Sequence, residues 1–445
     1  MPEIASPPAS TLTPAKTARQ RTDTFTSIWM IIAVAMALVT LVVKNRMPQP
    51  LWTMIHLVTL GVLSNGIFQW SWFFARSLAR LSADDPRARR HNTIRILIFN
   101  ACFLLLFVSM WLGWMVGTMI AATGIAAVAA WHGAEMLSVL RERLASRFVI
   151  VVRYYVCSAS FFVLAALLAS FVSATMFSPS IPEALVAMRD RLTLAHALSG
   201  VAGWVGLTIG GTAITLGPTI LRTRMSPDAV RGGVRVLLPW CLSLLLAIAG
   251  ALLGVMPLVG AGILAVGTCA IVGIVYPYAK VLRNKGPREY SAWSFLLGLL
   301  WISVGVCALG VASLFVSTPS QLRVLTLMWL PIIGIAGFAQ LFQGALSYLM
   351  PVVIGGGPSV VRIGIAIIDW QYSLRLGLRN GALILELFLF FTSDSPSVHV
   401  LRMAGWLLVI ATFVIDVVIY AKTGITQAQA RRARSETLSE SRQVQ

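Results

Sequence analysis

Charge is what this sequence has least of. Charged residues make up 11% of its 445 residues, against 58% hydrophobic and a mean hydropathy of +0.82. Ordinary globular domains carry roughly a quarter charged residues, and a chain with less than half that share cannot coat a water-soluble fold with polar side chains. A soluble enzyme is thereby excluded. Also missing is any hydrophilic stretch of the on-the-order-of 50 residues that an independent domain needs, so any chemistry belongs within or against a bilayer. Cysteine is sparse: Cys102, Cys157, Cys241, Cys269 and Cys307 sit singly in separate apolar runs, without CxxC spacing. That pattern excludes a disulfide framework and marks them as small buried hydrophobes. Walker-type loops, GxSxG, HExxH and zinc-spaced Cys/His clusters are absent as well. Gly355, Gly356 and Gly357 before Pro358 lack the Lys-Ser/Thr end of a phosphate loop and read as a cytoplasmic hinge.

What is present is a succession of apolar runs of about 20 residues, the length that crosses a bilayer as a helix. They fall near 25–43, 51–75, 95–114, 116–139, 148–176, 194–221, 235–254, 257–280, 292–316, 324–350, 380–393 and 400–421. The expected fold is therefore all-α, a polytopic integral membrane protein of about twelve transmembrane helices forming one domain over 25–421. The eleventh run is short, so Ile363 to Leu378 is expected to assist it as an interfacial or re-entrant segment.

The formal charge of +19 would suggest nucleic acid in a soluble protein. Here it sets orientation, because Lys and Arg collect on the cytoplasmic side. With both termini inside, only Lys44, Arg46, Arg189, Arg191, Arg323 and Arg402 of the 35 basic residues lie outside. Residues 1–24, polar and rich in Pro, Ser and Thr, read as a disordered cytoplasmic tail, not a cleavable signal. Residues 422–445 read as a second tail, its Arg431, Arg432 and Arg434 placed to meet anionic lipid. The lipid bilayer is the expected partner and nucleic acid is not.

Ionisable residues at membrane depth are costly and mark sites. Of five histidines, His91 lies in a basic cytoplasmic loop and reads as solvated. His56, His196 and His399 share one depth, near the outer face. Neutral imidazoles on separate helices serve as haem or copper ligands, or else as interfacial groups bonded to carbonyls and water. After His196, Gly200, Gly203, Gly206 and Gly210 recur on broadly the same face, which suits close helix packing more often than a flat macrocycle. Gly337, Gln340, Gly344 and Ser347 form a similar stripe on the tenth run, able to line a cavity or polar path. His132 and Glu135, one turn apart on the fourth run, are candidates to share a metal or a proton. Glu386 and Asp416 are the remaining acids at depth, fit for a proton or ion relay, a cation, or a buried Arg.

The second run, IHLVTLGVLSNGIFQWSWFFARSLARL, resembles a group of bacterial membrane proteins related to the integral-membrane part of multicopper oxidase and copper nitrite reductase fusions. The sixth run, AHALSGVAGWVGLTIGGTAITLGPTILRTRM, and the end of the tenth, LFQGALSYLMPVVIGGGP, resemble the same group. More distantly, the arrangement is similar to the main subunit of haem-copper oxidases and to the NnrS family. That resemblance implies a bacterial plasma-membrane protein with haem b or copper held by His56 and His196, and an extracytoplasmic copper or redox protein as partner. The chain departs from the oxidases where the seventh run (LLPWCLSLLL) lacks their paired histidines and the tenth lacks their His-x-His, having Gln340 and Gln343 instead. A binuclear oxygen-reducing centre is therefore not expected. Electron transfer, or copper or nitric oxide handling, is the leading expectation. A secondary transporter with helices broken at Pro218, Pro239, Pro277 and Pro331, and a non-catalytic partner of a redox protein, remain open beside it.

Overall fold

The computed structural model describes residues 18–43, 46–82, 84–143, 149–177, 180, 182–224, 227–284, 286–393 and 395–443. The tail residues 1–17, Lys44 and the last two residues lie outside that set. The fold is all-α: the described residues contain no strand. Ten of their helices are long and apolar enough to cross a membrane, the make-up of a multi-pass membrane protein.

In chain order the helices are α1 (Ala18–Val43), α2 (Pro50–Leu78), α3 (Arg87–Leu112), α4 (Met115–Glu142), α5 (Val149–Phe177), α6 (Arg189–Ile220), α7 (Pro227–Leu253) and α8 (Met256–Arg283). They continue as α9 (Tyr290–Ser313), α10 (Pro319–Ile354), α11 (Pro358–Ile368), α12 (Tyr372–Phe390) and α13 (Pro396–Gln443). The runs expected at 25–43 and 380–393 fall in α1 and α12. Three expectations change in detail. α1 starts at Ala18, inside the stretch read as a tail. The segment 363–378 is not one re-entrant piece: it is divided between α11 and α12, with Gln371 in the left-handed region between them (φ 48°). The C-terminal stretch from 422 continues α13 as helix, and at 1.5 Å per residue α13 is longer than a bilayer is thick.

The helices group into two compact units, 1–209 and 210–445. In the first, α4 packs against α3 and α5, and α5 against α6. A buried amide pair helps to fix α2 on α3: Asn100 Nδ2 donates to Asn65 Oδ1 at 2.7 Å, and Trp29 Nε1 of α1 donates to Asn100 Oδ1 at 2.6 Å. Polar side chains shut away from water must find partners in each other.

In the second unit, α7, α8, α9 and α10 pack in sequence order, and small residues let their backbones approach. A Cβ on Gly262 would stand 2.7 Å from the Ala247 backbone nitrogen, and one on Gly310 would stand 2.6 Å from that of Leu264. Apolar tails of lipid give helices no hydrophobic reason to associate, so this closeness supplies dispersion contacts instead. Gly337 and Gly344 of the polar stripe serve the same packing against Ile302 and Phe295 of α9. That stripe is interface rather than channel. Helix also continues through Pro218, Pro239, Pro277 and Pro331.

Candidate functional site

Among the described residues, five helices contain stretches of wider winding, at Leu57–Ser64, Arg87–His91, Leu198–Gly206, Ile271–Val275 and Ile332–Ala339, and two of these stretches follow a histidine. α2 passes from α-helix to wide i→i+5 turns at Leu57–Ser64, directly after His56. α6 does the same at Leu198–Gly206, two residues after His196. Such wide turns are rare, and they occur often beside functional residues because they re-aim the side chains around them.

The two imidazoles are stacked, with ring centres 6.1 Å apart and planes 11° from parallel. His56 Nδ1 is 2.9 Å from the Trp52 carbonyl oxygen, and His196 Nδ1 is 2.8 Å from that of Ala165 on α5. A carbonyl only accepts, so both Nδ1 atoms carry the proton and both Nε2 atoms keep a free lone pair. The Trp52 indole stacks on His56, 4.3 Å between centres and 20° from parallel, and fixes its ring plane. Both histidines are half-buried. The glycine face after His196 divides its work: a Cβ on Gly203 would run into Phe161 of α5 at 2.5 Å, whereas at Gly200 the nearest atom is Ala165 Cβ at 3.8 Å. Close packing on α5 explains Gly203; space remains at Gly200.

His132 and Glu135 do not share a ligand position. His132 is fully buried, its Nε2 3.3 Å from Ser71 Oγ and its Nδ1 without a hydrogen-bond partner among the described residues. Its ring stands edge-on to Phe68 and Trp204, at 5.0 and 6.1 Å. Glu135 instead accepts from Trp131 Nε1 and pairs with His91 Nδ1, each at 2.8 Å, and it forms an ion pair with the wholly buried Arg95. His91, expected to be solvated, thus belongs to a polar cluster with α4. Sequence reasoning missed it because a partner 44 residues away leaves no local spacing.

In the second unit Asp416 of α13 meets two arginines of α12, Arg375 and Arg379, all three shut from solvent. Tyr290 donates to Asp416 Oδ2 at 2.7 Å, and Arg379 also donates to Gln343 Oε1 at 2.8 Å and to Thr412 Oγ1 at 3.0 Å. Gln340 and Asn380 exchange amide hydrogen bonds beside it, at 3.2 and 3.0 Å. Of the roles open to Asp416, pairing with a buried Arg is the one realised. Two guanidinium groups share one carboxylate, and their remaining donors go to carbonyl, amide and hydroxyl oxygens of the protein, so the cluster fixes α12 on α13.

Glu386 lies apart from that network, 3.8 Å from Arg402 Nε in the wall of a cavity. His399 is exposed in the first turn of α13. Among the described residues no three His, Cys, Asp or Glu side chains converge as a metal site. None of the five cysteines is in a disulfide, and all are half-buried rather than buried.

No family model matches the chain, and no curated protein matches it.

Proposed function

We propose that His56 and His196 are the two axial ligands of a haem b iron and that the protein transfers electrons in a membrane. The observation that carries this reading is the pair of near-parallel imidazoles, 6.1 Å between centres, each with Nδ1 tied to a backbone carbonyl. A carbonyl behind a ligating histidine is the usual means of fixing its tautomer and raising its basicity. Metal–imidazole bonds of about 2 Å on either side, with a ring radius of about 1 Å added to each, set ring centres about 6 Å apart. The centre-to-centre distance of 6.1 Å agrees with that arithmetic.

Haem is favoured over copper by donor count. Copper(II) sites draw on three or more protein ligands, and the described residues offer no such group. A haem iron takes four nitrogens from its macrocycle and two from the protein. Held by His56 and His196, the group would supply one-electron exchange. The chain's own part is to hold the rings: Trp52 through its carbonyl and its indole, Ala165 through its carbonyl, and the two wide-turn segments through the direction they give α2 and α6.

In this reading α1 and α12 are also crossing segments, twelve in all, with both termini in the cytoplasm of a bacterium. The histidines then lie near the outer face of the plasma membrane, where an extracytoplasmic copper or redox protein would exchange electrons with them. An absorption spectrum of protein purified from cells supplied with haem and copper is the test. A Soret band with the sharp α and β bands of a reduced six-coordinate haem supports the reading. Stoichiometric copper without a Soret band replaces haem by copper at the same pair, and a colourless metal-free protein overturns both.

A further inference from the structure

Glu386 and Arg402 stand in one wall of a cavity of about 310 Å³ that is otherwise apolar and aromatic, with Ile332, Ile335, Phe390 and Trp406 among its lining residues. Glu386 is 97% buried, and its Oε1 has no hydrogen-bond partner among the described residues. Its Oε2 lies 3.8 Å from Arg402 Nε, too far for a hydrogen bond. Arg402 is 39% exposed, so its guanidinium still has donors to offer. The carboxylate takes a hydrogen bond from Trp406, but an oxygen left bare in a buried setting is expensive. In Asp416, of the same unit, every such need is met from within the chain. Here the missing donor has to come from outside it.

Depth narrows the occupant. Glu386 is four residues before the end of α12 and Arg402 six after the start of α13. At 1.5 Å per residue both lie within about 10 Å of the helix ends, the level of lipid head groups, not the bilayer centre. Met328, also in the lining, is an exposed apolar residue, suited to acyl chains.

The geometry points to a binding site for an ethanolamine phospholipid, its ammonium on Glu386 and its phosphate on Arg402. The ammonium carries three donors for a carboxylate short of them, and guanidinium matches phosphate. Choline lipid has no N–H to give, and glycerol lipid has no cation. A free amino acid presents the same pair of charges without the chains.

The test is native mass spectrometry of the full chain, delipidated and then offered vesicle-derived phosphatidylethanolamine, phosphatidylcholine and phosphatidylglycerol at equal amounts. Expected is retention of one ethanolamine lipid at about tenfold preference over either of the others. Glu386→Gln abolishes the preference over choline lipid, and Arg402→Gln, a change at a half-exposed position that leaves the fold intact, weakens retention of ethanolamine lipid. Equal retention of the three lipids, or retention of ethanolamine lipid unchanged in Arg402→Gln, overturns the proposal. So does displacement of the lipid by millimolar glycine, which would assign the site to a water-soluble zwitterion.

Discussion

Arg379 and Asp416, both wholly buried, form an ion pair between α12 and α13. Hydrogen bonds from Tyr290 to the carboxylate, and from Arg379 to Gln343 and Thr412, satisfy the rest of the two groups. Removing one partner strands the other charge away from water, which costs about 3–5 kcal/mol, whereas replacing both by apolar groups costs far less. With Arg375 also on Asp416, Asp416→Asn leaves two unpaired guanidinium groups and is expected to lower the apparent Tm in detergent more than Arg379→Met does. Thermal unfolding followed by circular dichroism checks this; an Asp416→Asn protein as stable as the parent would mean the cluster does not hold the helices.

The haem reading separates the histidines by role. His56→Ala or His196→Ala is expected to remove the low-spin spectrum, because each supplies one of two axial nitrogens. His399→Ala is expected to leave it unchanged, since that ring is exposed on α13. Trp52→Phe keeps the carbonyl and an aromatic neighbour for His56, so haem is retained and only its midpoint potential moves. Loss of haem in His399→Ala alone would place the ligand pair elsewhere.

The apolar runs made the helices legible, because about 20 apolar residues in a row allow few other structures. α12 was the exception: Arg375 and Arg379 interrupt the run, and only the partner Asp416, 37 residues beyond Arg379, shows why they are tolerated. The helical continuation of α13 past residue 422 was hidden by its polar, tail-like composition. Depth from the helix ends brought His56 and His196 to notice, yet the wide turns beside them left no mark, since Leu57–Ser64 and Leu198–Gly206 read as ordinary apolar helix. Asn65 and Asn100 went unremarked because their value lies in meeting each other across α2 and α3.

That amide pair gives the third prediction. Asn100→Leu removes the acceptor of Trp29 Nε1 and the donor to Asn65 together. Stranding such groups in a buried setting costs about 1–3 kcal/mol. Asn65→Leu with Asn100→Leu is expected to be less damaging than the two single losses added, because neither amide is then left alone. A double-mutant cycle on thermal stability measures the coupling; strict additivity would mean the pair contributes nothing as a pair.

Outside the membrane, Asp85 has its carboxyl held below the usual carboxylate range, chiefly by the hydrogen bond from Arg87, with burial opposing. Arg87 also pairs with Glu142, at 2.6 Å, so the three residues tie the α2–α3 connection to the end of α4. A depressed folded pKa means this contribution is present above the ordinary value of 3.8 and lost as pH falls through the lower folded value. Protease cleavage of the connection is therefore expected to rise in acid below about pH 4 in the parent protein. Asp85→Asn should cleave faster already at neutral pH and lose the acid dependence. A parent whose cleavage rate does not change between pH 5 and pH 3, measured with an acid-tolerant protease, would remove Asp85 as the latch.

The turn after α10 supplies the last prediction. Gly355, Gly356 and Gly357 all have positive φ, 73°, 98° and 86°, and at Gly355 and Gly357 ψ is extended as well, a region that costs other L-residues about 1–3 kcal/mol each. Their loop is not a free hinge: Arg431 donates to the Ile354 carbonyl at 2.8 Å, Arg434 to that of Gly356 at 2.9 Å, and Gln427 to that of Pro351 at 2.7 Å. The basic residues read as lipid contacts thus use part of their donors to hold α13 against the turn. Gly357→Ala adds backbone strain and a methyl group 2.6 Å from Arg434 Nη1, so it should both destabilise the turn and release the end of α13. Arg431→Ala with Arg434→Ala should release that end without straining the turn. Hydrogen exchange separates the two: both variants lose protection beyond Gln427, and only Gly357→Ala also loses it in the first turn of α11. Protection unchanged in the double arginine variant would show that the C-terminal arm is helical without the clasp.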